Sequence, residues 1–110
     1  MARKIYNKLV RDRIPEIIES KGGTPKYSVL SANDYSSALQ EKLIEEAREL
    51  REAGEKEDIL SELSDVAEII RSIVKNSGFT MEEVEARREK KYAERGGFEK
   101  ALFLEYVDED

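Results

Sequence analysis

The chain contains no cysteine and no histidine, and those two absences close off much of enzyme chemistry. Without thiols there is no disulfide, no thiolate metal site and no cysteine nucleophile. Without imidazole there is no Ser-His pair, no zinc-histidine site and no imidazole base. Chemistry here must run on carboxylates, amines, guanidiniums and hydroxyls. Long apolar runs are missing too. No stretch approaches the roughly 18 residues of a membrane span, and Met1-Ala2-Arg3-Lys4 leads into no apolar segment of signal-peptide type. The expected compartment is the cytoplasm, with no membrane partner. Basic charge is in deficit: 19 Lys and Arg stand against 25 Asp and Glu, a net charge of −6. That balance suits a nucleic-acid backbone poorly, so no nucleic-acid partner is expected.

What remains is a chain of 110 residues, 39% hydrophobic and 40% charged. The length fits one domain, 1–110, with a single modest core. The apolar residues recur at helical spacing, so the composition predicts an all-α fold of about four helices. Asp12 reads as an N-cap ahead of Pro15, with Ile14, Ile17 and Ile18 on one face and Gly22-Gly23 as the stop. Ser31 and Asp34 form a capping-box pattern that opens a helix to about Ala53, ended by Gly54. A third helix is expected over 57–76, before Gly78. Thr80 and Glu83 form a second capping box, opening a helix to about Glu94 that Gly96-Gly97 stops. Residues 26–30 and 101–107 read as short extended segments or strands, and the acidic tail Asp108-Glu109-Asp110 is expected to fray.

The two central helices place acids beside apolar stripes. At about 100° per residue, Leu39, Ala47 and Leu50 fall within about 40° of Leu43. Glu46 lies about 60° from that centre and Glu49 about 120° away on the same side, while Glu45 points roughly backwards. On the next helix the stripe centres on Leu63 and takes in Ile59, Leu60, Val66, Ala67 and Ile70. Glu62 sits about 100° off it, with Asp65 about 60° beyond. Each helix thus supplies an acidic i, i+3 pair, and a short connection at Gly54 favours an antiparallel hairpin in which the pairs meet. Four carboxylates in one cleft repel unless a cation neutralises them, and an all-oxygen set suits Mg²⁺ or Mn²⁺. The plainer alternative is a solvated acidic edge, paired with Lys42, Arg48 or Arg71.

Glu45-Glu46-x-x-Glu49 followed by Glu62-x-x-Asp65 resembles the EExxE…ExxD signature of the MazG-like all-α nucleoside triphosphate pyrophosphohydrolases. The stretch from Tyr6 to Ile18 and the run Arg95-Gly96-Gly97-Phe98-Glu99-Lys100 resemble the two ends of the phosphoribosyl-ATP pyrophosphohydrolase-like branch, assigned to nucleotide-pool house-cleaning. The resemblance covers nearly the whole chain. It implies a helical bundle that forms a homo-oligomer, dimer or tetramer, with metal on Glu46, Glu49, Glu62 and Asp65. It implies a Mg²⁺-dependent hydrolase of nucleoside triphosphates that releases monophosphate and pyrophosphate. Glu45 matches the motif as well, and its outward direction suits contact with a second subunit or an activated water. Lys91 and Arg95 resemble the family's phosphate-binding cations, with a solvated basic face as the alternative. Lys8, Arg11 and Arg13 are further phosphate candidates, Glu68 flanks the second acidic motif, and Tyr6, Tyr92 and Phe98 are candidates for stacking on a base. Three rival functions stay open: the phosphoribosyl-ATP pyrophosphohydrolase of histidine biosynthesis, a non-catalytic helical oligomer or regulator, and, least favoured by the negative charge, a nucleic-acid binder.

Overall fold

The computed structural model describes residues 2–109, so Asp110 of the acidic tail lies outside the described residues. It is all-α: α1 spans Ile14–Ser20, α2 Ala32–Glu52, α3 Lys56–Asn76 and α4 Met81–Arg95, with no strand among the described residues. The helix limits follow local chemistry. The Ser31 side chain accepts from the Asp34 amide at 3.2 Å, which satisfies one of the free amides of the first α2 turn. No return bond from Asp34 closes that box; its side chain is one methylene shorter than the usual Glu. The box at Thr80 is complete: Thr80 Oγ1 accepts from the Glu83 amide at 3.1 Å, and Glu83 Oε1 accepts from the Thr80 amide at 3.1 Å. Gly96, at φ 81°, ends α4 in the left-handed region that side chains avoid. The N-cap of α1 is Arg13, not Asp12, and no side chain caps it. Pro15 fixes that first turn instead, since it has no amide to leave unpaired.

The connection from Ala53 to Glu55 is too short for anything but an antiparallel return, and α2 and α3 pack together as a hairpin. α4 touches α3 sparingly and α2 not at all. The inner face of α2 runs through Leu39, Glu46 and Leu50. That of α3 runs through Ile59, Glu62, Val66 and Ile69. The hairpin is therefore rotated by about 50° from the stripes centred on Leu43 and Leu63. Leu60 and Leu63 are 62% and 48% exposed, and Ile44 and Ile70 also face outward. α3 carries two apolar stripes, and the chain uses the one that contains the acids.

The expected strands do not form. Residues 26–30 and 101–107 run without secondary structure, and Val29, Leu102 and Phe103 are almost fully exposed. A β-segment needs a neighbouring edge to satisfy its backbone, and none lies alongside. The molecule is correspondingly open. Its radius of gyration is 19.0 Å, against about 13 Å for a compact chain of this length. It exposes 10603 Å², about 4,000 Å² more than a compact monomer of this mass. No described helix is long and apolar enough to cross a membrane.

Candidate metal centre

Glu46 occupies the middle of the packed face of α2 and is only 6% exposed. A carboxylate in that position has lost its water, and burial pushes its proton affinity above the ordinary carboxylate range. The adjoining Glu62 carboxyl and the Asp65 charge push the same way, with Glu49 and Lys42 opposing. Lys42 Nζ stands 3.6 Å from Glu46 Oε1 and 3.6 Å from Glu45 Oε1. Glu46 Oε2 has no hydrogen-bond partner, and neither has Glu62 Oε2, although both atoms are buried. Two orphaned anionic oxygens on adjoining carboxylates are costly unless something positive lies nearby.

The oxygens are grouped accordingly. One ligand atom each from Glu46, Glu62 and Asp65 lie within 4.8 Å of one another, and the same holds for Glu45, Glu46 and Glu49. Glu46 belongs to both groups and joins them into one five-carboxylate cluster. The donor set is all oxygen and strongly anionic, with no nitrogen or sulfur, which is the chemistry that hard divalent cations take. Glu49 has its proton affinity raised as well, by desolvation first and then by the Glu46 charge. Glu45 departs from its expected outward direction. Its backbone position is as the helical wheel places it, but the side chain leans between Lys42 and Lys8 and brings an oxygen into the group. A shallow cleft of about 300 Å³ opens beside the cluster at the hairpin end, lined by Glu49, Glu52, Ala53, Gly54, Asp58, Ser61 and Glu62.

The cations divide into those that reach the cluster and those that do not. Arg11 Nη2 donates to Asp65 Oδ1 at 2.7 Å, and Lys8 Nζ lies 3.5 Å from Glu45 Oε1. Arg13 is turned away and pairs with Glu16 at 2.8 Å within its own helix. Lys91 and Arg95 sit exposed on α4 and make no ion pair among the described residues. Tyr6 carries the ammonium groups of Lys4 and Lys8 over its ring at 5.1 and 6.0 Å. Tyr92 is half exposed and Phe98 almost wholly so. Glu68 is exposed and belongs to neither acidic group. With Asp12, Tyr35, Arg71, Ser72, Lys75 and Phe79 it lines a second groove of about 810 Å³.

Of the cations expected to pair with the acidic edge, Lys42 does so, and its side chain is only 17% exposed. One feature escaped the sequence reading: Asp58 extends the acidic face of α3 by one turn, at i, i+4 and i, i+7 from Glu62 and Asp65.

Compared with curated proteins, the chain is 50% identical over 52 residues to an uncharacterized protein of Mycolicibacterium smegmatis. That match covers 47% of this chain and 53% of the other, so it spans about half of each. No family model matches the chain, and no solved structure matches it.

Proposed function

We propose that the chain is a divalent-cation-dependent hydrolase of nucleoside triphosphates, releasing monophosphate and pyrophosphate, and that it works in the cytoplasm as an assembly of copies. The observation that carries the reading is that Glu46 and Glu62 each bury an unpartnered oxygen, in a group whose ligand atoms lie within 4.8 Å of one another. A site that keeps two such groups desolvated is built for an ion. Mg²⁺ or Mn²⁺, when bound, offsets charge on phosphate oxygens and raises the acidity of water.

The chain's own residues do the rest. Glu46, Glu62 and Asp65 would hold the ion, with Glu49 and Glu45 completing the group of carboxylates. Glu49 is exposed and has a raised proton affinity, so it suits the base that orients water and takes its proton. The water oxygen bonds to phosphorus, the α–β anhydride bond opens, and pyrophosphate leaves with the bridging oxygen. Lys8 and Arg11 lie where they can meet the polyphosphate. The apolar stripe of Leu60, Leu63 and Ile70, which a single chain leaves uncovered, supports the assembly.

A panel of nucleoside triphosphates with Mg²⁺ or Mn²⁺, scored separately for pyrophosphate and orthophosphate, tests the reading. Pyrophosphate release that a chelator stops is expected. Orthophosphate as first product, or turnover indifferent to chelation, overturns it. Including phosphoribosyl-ATP in the panel decides between a general and a dedicated substrate.

A further inference from the structure

The stretch before α1 has no secondary structure, yet it is tied down at two points. Lys8 reaches Glu45 on α2, and Arg11, three residues on, reaches Asp65 on α3. The segment therefore joins both helices of the hairpin through two carboxylates of the acidic cluster. Its far end is anchored where the Ile14 amide donates to the Arg11 carbonyl at 3.1 Å, at the start of α1.

We propose that residues 6–13 form a latch that the divalent ion opens. Arg11 neutralises Asp65 in the ion-free chain, leaves it when the ion enters, and turns its guanidinium to the anionic ligand. The inference rests on the metal-centre reading given above. Three observations support it. First, Arg11 takes an oxygen of a residue that belongs to the cation-binding group, at a charge-assisted 2.7 Å. A guanidinium and a divalent ion on one small carboxylate repel each other at close range, so the two occupancies compete. Second, the pair is weakly held. The Arg11 and Asp65 side chains are 58% and 35% exposed, and an ion pair of that kind is easily exchanged. Third, a freed guanidinium is planar, always charged and shaped for phosphate oxygens. The same exchange releases Lys8 from Glu45. Two cations thus pass from protein carboxylates to ligand phosphates in the step that loads the ion.

The test uses the full chain. Mn²⁺ is titrated into the native protein, Arg11→Ala and Arg11→Lys by calorimetry without nucleotide, and tryptic cleavage after Lys8 and Arg11 is followed before and after Mn²⁺. The expected result is Mn²⁺ binding about two- to fivefold tighter in Arg11→Ala, the size of a lost competitor of this exposure. Arg11→Lys should stay within about twofold of native. Cleavage after Lys8 and Arg11 in the native chain should speed up on adding Mn²⁺, because both side chains are then free to enter the protease. Far-UV circular dichroism verifies that each variant keeps its helices. Native binding with an unchanged or weaker Arg11→Ala affinity overturns the latch and leaves the metal centre standing. Slower cleavage at these two sites with Mn²⁺ overturns it too, since the segment would then close on the ion. Absence of Mn²⁺ binding in all three proteins removes the metal centre, and the latch with it.

Discussion

Glu46 is charged where charge is expensive, and two consequences can be measured. Its proton affinity in the folded, ion-free chain stands above the ordinary value near 4.5. The native state therefore holds more protons than the unfolded chain over the range from 4.5 upward, and stability falls as pH rises through the raised value. Glu49 contributes in the same direction. Ion-free protein should lose thermal stability as pH rises from about 4.5 through the raised value, and Glu46→Gln should flatten that slope. The same substitution should stabilise the ion-free chain by about 1 kcal/mol, because a neutral amide is cheaper to bury, while abolishing Mn²⁺ binding. A Glu46→Gln variant with native pH dependence would show that the buried carboxyl is not the source of the slope. Glu62→Gln should stop ion-dependent pyrophosphate release with helicity intact. Unchanged turnover in that variant would remove Glu62 from the site.

Among elements, those with chemical punctuation were legible in the sequence. Ser31, Thr80 and Gly96 mark helix limits by hydrogen bonding or by φ, and α2, α3 and α4 fall within a residue or so of the expected spans. The acidic constellation was legible as well, since i, i+3 spacing on neighbouring helices of a hairpin leaves little freedom. The face that each helix turns inward was legible in part. Leu39, Leu50, Ile59 and Val66 of the expected stripes pack inward, while Leu60, Leu63 and Ile70 stay exposed. The packed face turns instead towards Glu62 and Ile69, so Glu46 moves from the rim to the centre of the interface. Nor could composition show that 26–30 and 101–107 would find no partner strand. Capping gives a clean test of independence between elements. Thr80→Ala should cost about 1 kcal/mol, with faster hydrogen exchange in the first turn of α4. Mn²⁺ affinity should not change, because α4 does not touch α2 and makes no contact with the cluster's ion pairs. A parallel loss of Mn²⁺ binding would tie α4 to the site.

The whole molecule exposes about 4,000 Å² more surface than a compact monomer of its mass, and Leu60, Leu63, Phe103 and Leu104 are among the large apolar side chains on it. The proposed assembly would cover part of that surface. Light scattering should report a multiple of 12.6 kDa, and Leu63→Glu should move the protein towards the single-chain mass by placing a charge on the uncovered stripe. A native mass of one chain would retire the assembly. Every carboxylate of the cluster lies between Glu45 and Asp65, one unbroken piece of chain folded back on itself at Gly54. Making the ion pocket requires no contact between distant parts of the sequence, so it can take shape as soon as that piece has left the ribosome, ahead of any encounter with a sister chain.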